Sequence, residues 1–264
     1  MTDYALDLDD AAVRRFILFA ELAERAERDQ WAAAGLTPGA SVADVGCGPG
    51  AVTLLLGRAV EPGGTVLGID SDPAALEAAR QLARDSGAEN LLFSEGDAAS
   101  TGLAPGTFDV VMVRHVLGHN GGRQPTIVDH LRSLLRPGGR LYLADADLTG
   151  MRMLPPDTSL QDMWQRYLDF QVSRGNDVSA GLRLADLIAR AGLELTDFRG
   201  RYDMFRGKGF RGPAWEARDA MSSAGFARPE DLERWQAALD RLDEAEDAPA
   251  LFLPIFTAAG RVPS

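Results

Sequence analysis

Residues 41–56 constrain this chain more than any other stretch. Ser41 to Val45 is a short apolar run that reads as a buried strand, and it leads straight into Gly46, Gly48 and Gly50 at alternate positions. Ala51-Val52-Thr53-Leu54-Leu55-Leu56 then starts a helix. A strand, glycine loop and helix in that order let a small ligand lie against bare backbone at the mouth of a parallel sheet. Glycine is needed because a Cβ would block the approach or forbid the turn. Asp44 stands two residues ahead of the first glycine. A carboxylate there repels a pyrophosphate and attracts a cation, so the loop suits a positively charged, phosphate-free nucleoside.

Gly64-Thr65-Val66-Leu67-Gly68-Ile69-Asp70 reads as a second strand ending in an acid, twenty residues beyond Gly50. An acid at the tip of the neighbouring strand is placed to accept hydrogen bonds from two ribose hydroxyls. Ser71 follows it, and Pro73 opens the next helix, where its missing N–H costs nothing. The spacing from glycine loop to acid alone would also fit a dinucleotide. A nicotinamide oxidoreductase, however, would read Gly-x-Gly-x-x-Gly without Asp44.

From Ser41 onward strands and helices alternate. The patterning predicts strands over 41–46, 64–70, 91–95, 108–113 and 139–145, and helices over 51–60, 73–86 and 123–136. Such alternation means parallel strands with helices on both faces. Ligands on these sheets sit at the carboxyl ends of strands. Asp44, Asp70, Asp97, Arg114, His115 and Asp145 all fall at or near such ends. Ahead of the first strand, Asp9 or Asp10 caps a helix carrying Val13, Phe16, Ile17 and Ala20 at helical spacing. A loop over 149–156 precedes a helix bearing Met163, Trp164, Tyr167 and Phe170, a stripe that serves either as core or as acceptor-pocket lining. Another helix is expected over 182–191, final strands over 193–205 and 250–259, and helices over 213–225 and 229–245 that complete a cap or form a homodimer surface.

The chain has 264 residues, 45% hydrophobic, enough for one large α/β domain with insertions. Its formal net charge of −12 argues against sequence-independent nucleic-acid binding. One cysteine, Cys47, permits no internal disulfide, consistent with a reducing cytoplasm. No signal peptide and no membrane span are expected. Lys208 is the only lysine, in a Gly207-Lys208-Gly209 segment that reads as an exposed loop. That leaves no Tyr-x-x-x-Lys pair for a short-chain dehydrogenase, since Met204 stands four residues before it, and no suitably placed lysine for pyridoxal phosphate.

Asp44-Val45-Gly46-Cys47-Gly48-Pro49-Gly50, Gly68-Ile69-Asp70, Gly96-Asp97-Ala98, Phe108-Asp109-Val110-Val111 and Leu135-Arg136-Pro137-Gly138-Gly139-Arg140-Leu141 occur in a telling order. In that order the chain resembles the class I S-adenosylmethionine-dependent methyltransferases, in particular the ubiquinone/menaquinone-biosynthesis-like small-molecule group. The resemblance covers residues 40–147. It implies a Rossmann-like three-layer sandwich whose mostly parallel seven-stranded sheet has its last strand antiparallel, with helical lid insertions. It divides a single domain, 1–264, into an N-terminal lid (1–36), a cofactor-binding core (37–148) and cap or acceptor insertions (149–180 and 206–249).

The resemblance also assigns roles. S-adenosylmethionine would lie along Asp44, Gly46, Cys47, Gly48, Gly50, Asp70 and Ser71, with Cys47 a small buried filler. The acid Asp97 would accept from the adenine amino group while the Gly96 and Ala98 backbone meets the ring. Backbone carbonyls around Arg114 would receive the methionine ammonium. No metal is expected: the catechol-type enzymes place an acid where this chain has Arg114 and His115, and the two histidines lack the glutamate of H-E-x-x-H. His115 and His119 are the candidate catalytic bases, since histidine suits deprotonation of a hydroxyl near neutral pH. The alternative for each is a structural hydrogen bond beside the cofactor. The implied activity is in-line methyl transfer to oxygen, nitrogen or carbon of a small molecule, such as a secondary-metabolite scaffold. The other reading is a protein that binds the cofactor in the same fold without methylating.

Overall fold

A computed structural model describes residues 10–206, 211–245 and 249–263. The proposed Asp9 cap and the Gly207-Lys208-Gly209 loop lie outside those residues. In chain order the elements are α1 (Asp10–Ala33), β1 (Ser41–Val45), α2 (Ala51–Val60), β2 (Thr65–Asp70), α3 (Pro73–Asp85), β3 (Leu91–Glu95) and β4 (Phe108–Arg114). Next come α4 (Gln124–Leu134), β5 (Leu135–Ala146), β6 (Arg152–Leu154), α5 (Thr158–Ser173), α6 (Leu184–Arg190) and β7 (Glu194–Arg206). The helices α7 (Gly212–Glu216), α8 (Arg218–Ser223) and α9 (Pro229–Glu244) precede the closing strand β8 (Ala250–Arg261).

Local chemistry explains most boundaries. Asp72 caps α3 by accepting from the Ala74 amide, with Pro73 in the first turn, and Asp157 caps α5 by accepting from Ser159 and Leu160. The helix expected to reach residue 136 stops at Leu134, because the ring of Pro137 disfavours helical backbone at Arg136. Leu135 pairs with Phe108 instead, and the ladder resumes at Val110 and Arg140 after an irregularity.

The strands run β3-β2-β1-β4-β5-β8, and β7 pairs with the outer edge of β8. Neighbours from β3 to β5 are parallel. β8 is antiparallel to β5, β6 and β7, so the last strand alone runs against the others. The sheet has eight strands, one more than expected. The extra strand is β6, read from sequence as loop. β8 extends beyond the end of β5, and Arg152–Leu154 pairs with Phe252–Ala250 along that overhang.

Alternate strand residues feed two cores. Val42, Val66, Met112 and Tyr142 pack with α1 and α2 on one face, and Ala43, Ile69, Val113 and Leu143 with α4 and α6 on the other. A third cluster lies apart from both, where Met163, Tyr167 and Phe170 of α5 meet Trp235 and Leu239 of α9 and Met221 of α8. Three of the four residues in the α5 stripe are thus core of the cap. Trp164 is partly buried and its indole N–H donates to the Leu148 carbonyl at 3.0 Å.

Candidate active site

The glycine loop forms as its residues dictate. Gly46, Gly48 and Gly50 have φ of +75°, +52° and +81°, the left-handed region that glycine enters without penalty. A Cβ on Gly46 would stand 2.2 Å from Val116 Cγ2, and one on Gly50 2.9 Å from Ala79 Cβ. A Cβ on Gly48 would meet nothing within 4 Å. Gly48 therefore faces open space at the carboxyl end of β1, the cradle that close approach of a ligand requires. The Gly46 and Cys47 amides both donate to the Ile69 carbonyl, at 2.7 and 3.0 Å, which ties the loop to the end of β2.

Asp70 sits beside this cradle. Its Oδ2 accepts from the Gly48 amide at 2.8 Å and its Oδ1 from the Asp72 amide at 3.0 Å. Both oxygens are fixed in place, and each keeps a second lone pair for an external donor. Ser71 follows in an exposed bend. Asp44 is almost fully buried, with Oδ2 accepting from Thr53 Oγ1 at 2.6 Å. Burial pushes its carboxyl up to about 6, against the pull of Thr53 and Arg114. Cys47 is buried, and burial together with Asp44 and Asp70 pushes its thiol far above the ordinary value. Gly68 leaves room for it, since a Cβ there would come 3.0 Å from its Sγ.

Gly96-Asp97-Ala98 leaves β3 at the same end of the sheet. Asp97 Oδ1 accepts from the Ala99 amide at 2.9 Å and from Arg123 at 2.6 Å. Despite some burial, these partners hold its carboxyl below the usual range. Among the described residues nothing bonds to its Oδ2, which is left to accept from outside.

Arg114 ends β4 and turns its side chain away from the α4 face. Its guanidinium pairs with Glu27 of α1, which is fully buried. Tyr142 Oη and Trp31 Nε1 donate to the same Glu27 Oε2 at 2.9 and 3.1 Å, and Arg201 of β7 lies 2.8 Å from Oε1. Burial alone would raise the Glu27 carboxyl, but Arg114, Arg201 and Tyr142 together hold it below its ordinary value. This cluster fastens α1 across β4, β5 and β7. Sequence reading missed it, although Ala20, Ala23, Glu27, Trp31 and Ala34 share one helical stripe and all are buried.

His115 follows Arg114, and its amide donates to the Ala144 carbonyl at 2.8 Å. Its Nδ1 lies 3.8 Å from Oδ1 of Asp145, which is buried at the end of β5. His119 closes the single-turn helix Leu117–His119, and burial holds its imidazole below the ordinary value. The turn Arg174-Gly175-Asn176-Asp177 braces this loop, with the Asp177 amide donating to the Gly118 carbonyl at 2.7 Å. Asp147, the other acid beyond β5, caps the turn that follows by accepting from Thr149. Among the described residues no group of three or more acids, cysteines or histidines is arranged to hold a metal, and no helix is long and apolar enough to cross a membrane.

Gly48 thus opens a backbone cradle at the strand ends where Asp44, Asp70 and Asp97 also lie. The methyltransferase-domain family matches residues 36–177. An uncharacterized 37.1 kDa protein in a transposon of Streptomyces fradiae is 34% identical over 158 residues, covering 59% of this chain and 44% of that one. The ubiquinone biosynthesis O-methyltransferase of Xanthomonas euvesicatoria is 30% identical over 176 residues, covering 64% of this chain and 70% of the relative. The chain therefore spans less than half the length of the first relative and about two thirds of the second. A crystal structure of a putative methyltransferase from Bacillus halodurans shares the fold, with a TM-score of 0.60 at 17% identity over 90% of this chain and 98% of that one. The chain belongs to the S-adenosylmethionine-dependent methyltransferase family.

Proposed function

We propose that this protein transfers a methyl group from S-adenosylmethionine to a small-molecule acceptor by direct in-line displacement. The observation that carries the reading is the pairing of the open Gly48 cradle with the fixed Asp70 carboxylate. When bound, S-adenosylmethionine supplies a methyl group on a cationic sulfonium, already activated for attack. Asp70 would hold the ribose hydroxyls, Asp97 the adenine amino group, and Asp44 would set a negative charge near the methionyl end. Gly46, Gly50 and Cys47 shape the loop, and Ser71, Gly96 and Ala98 complete its margin.

No covalent intermediate is required of the protein. Its contribution is to hold the acceptor close, aligned and dry, which can supply several orders of magnitude in rate. The cap built on α5, α8 and α9 supports the last of these, because it rests on its own core beyond β5, where the acceptor would enter. The net charge of −12 favours a small molecule over a nucleic acid as acceptor. Release of S-adenosylhomocysteine, followed by mass spectrometry across phenol, amine and thiol acceptors, tests the reading. Acceptor-dependent release is expected. Binding of S-adenosylmethionine with no release against any acceptor would favour a non-methylating member of the fold.

A further inference from the structure

We propose that the outer edge of β7 is a homodimer interface, at which two copies of this chain pair their β7 strands antiparallel about a two-fold axis at Arg201. This is independent of what the acceptor is. It moves the homodimer surface from the helices over 213–225 and 229–245, where the sequence suggested it, to the margin of the sheet.

The first observation is the edge itself. β7 pairs with β8 along one side from Glu194 to Arg206, and among the described residues no strand pairs with its other side. One irregularity interrupts the ladder, at Leu195/Asp197; from Asp197 to Phe205 the strand is regular and holds no proline and no lysine. Such an edge offers a row of N–H and C=O groups to a further strand, and proteins that stay monomeric normally blunt it. α1 covers one face of β7, through Gln30 on Asp197, Glu27 on Arg201 and Phe19 against Phe205. The opposite face is bare: Phe198, Tyr202 and Met204 are 42%, 56% and 68% exposed. Their neighbours on β8 are aromatic too, with Phe256 stacked on Phe198 and Phe252 edge-to-face with Tyr202.

The second observation is that the strand complements itself. With the axis at Arg201, residues equally far before and after it face each other across the interface. Arg199 then faces the partner's Asp203, Gly200 the partner's Tyr202, and Phe198 the partner's Met204, each twice by symmetry. The first is an opposite-charge pair, with Arg199 exposed. The second lays a tyrosine ring over the one β7 residue without a side chain, beside the Phe256 ring that already covers it; a Cβ on Gly200 would stand 2.7 Å from Phe256 Cε1. The third sets a thioether against an aromatic ring. Arg201 meets its own copy, but Glu27 at 2.8 Å and Asp203 at 2.7 Å in the same chain offset that repulsion. An axis at Gly200 would instead oppose Asp197 to Asp203 and Arg199 to Arg201, like charges in both cases. An axis at Tyr202 would leave Arg199 facing the partner's Phe205, with no acid.

The size of the contact fits a dimer. Facing pairs from Asp197 to Phe205 supply on the order of ten backbone hydrogen bonds, because alternate pairs exchange two each. A protein–protein interface carries about that many. The two-fold axis stands perpendicular to the sheet, so two eight-stranded sheets join into one and the bare aromatic row continues from copy to copy. The glycine loop follows β1, with β4, β5 and β8 between it and β7, so pairing leaves both cofactor sites open.

Sedimentation velocity of the whole protein tests the interface. The parent should sediment as a dimer at about 100 μM, within reach of a modest interface. Arg199→Asp and Asp203→Arg each set like charges opposite one another twice, and each should raise the dimer dissociation constant at least about tenfold. Mixed in equal amounts, the two variants regain opposite charges at both positions and should dimerise within about threefold of the parent. Oxidative cross-linking reads the register independently. Phe198→Cys mixed with Met204→Cys should form a disulfide between chains, and neither variant should do so alone, since the native Cys47 is buried. Both of these substitutions lie on the bare face away from α1, so the cross-link decides the matter should a charge variant misfold. A parent still monomeric at that concentration, a dimer indifferent to both charge reversals, or a cysteine mixture without the mixed disulfide would overturn the proposal.

Discussion

Asp44→Asn should flatten the pH dependence of S-adenosylmethionine binding between pH 5 and 7.5. Asp44 is 2% exposed and accepts one hydrogen bond from Thr53. Burial lifts its pKa from 3.8 to about 6, a difference equivalent to about 3 kcal/mol against the charged form. A cationic ligand alongside favours that charged form, so binding below pH 6 must expel a proton. If only ionised Asp44 holds the ligand, a pKa of about 6 weakens apparent binding about tenfold at pH 5 and hardly at all at pH 7.5. Asp97 is held below the carboxylate range and does not titrate in this window. Isothermal titration at several pH values, repeated at pH 5.5 in buffers of different ionisation enthalpy, reads both affinity and protons released. The parent should release most of one proton at pH 5.5, and the asparagine variant none from this site. A flat parent profile, or a tenfold dependence surviving in Asp44→Asn, would refute the reasoning.

Four further outcomes follow from the same geometry. The native state keeps a proton on Asp44 that the unfolded chain loses near pH 4, so this group's contribution to stability is present below pH 4 and lost as pH rises through about 6. Thermal melts at pH 7.5 should therefore show Asp44→Asn more stable than the parent, by up to about 3 kcal/mol; a destabilised variant would contradict this. Asp70→Ala should weaken S-adenosylmethionine binding by about 2–4 kcal/mol, the loss of charge-assisted hydrogen bonds to ribose, and unchanged affinity would remove the ribose assignment. Gly48→Ala should fold with a loss of roughly 1–2 kcal/mol yet bind the cofactor poorly, whereas Gly46→Ala, driven against Val116, should lose about 2–5 kcal/mol of stability. Glu27→Gln should cost about 3–5 kcal/mol in denaturant titrations, because it leaves the buried Arg114 guanidinium beside a neutral group, while the partly buried Arg201 keeps Asp203.

The glycine loop and the strand ends around it were legible because their determinants are local. The glycines, Asp70 and Gly96-Asp97-Ala98 each sit within a few residues of the strand end that places them, and strand ends are set by short apolar runs. What escaped reading depends on partners far along the chain. Glu27 looks like one acid on a surface helix until Arg114, 87 residues away, and Tyr142, 115 residues away, close on it. Arg114 was read for its backbone, and its side chain turned out to lock α1 to the sheet. β6 is three residues between Gly150 and Pro155, too short for any alternation to show, and it exists only because β8 outruns β5. Met163, Tyr167 and Phe170 carry helical spacing that is the same for core and pocket wall; α9, more than sixty residues later, decides that they are core. The pairing of His115 with Asp145 likewise depends on β4 and β5 being neighbours, which each strand's own sequence does not state.

The most direct test is competitive calorimetry of the whole protein with S-adenosylhomocysteine and NADH. One S-adenosylhomocysteine should bind per chain and be displaced by S-adenosylmethionine, with NADH failing to compete even in large excess. Displacement of the thioether nucleoside by NADH would show that the glycine loop cradles a diphosphate, and would contradict the account at its root.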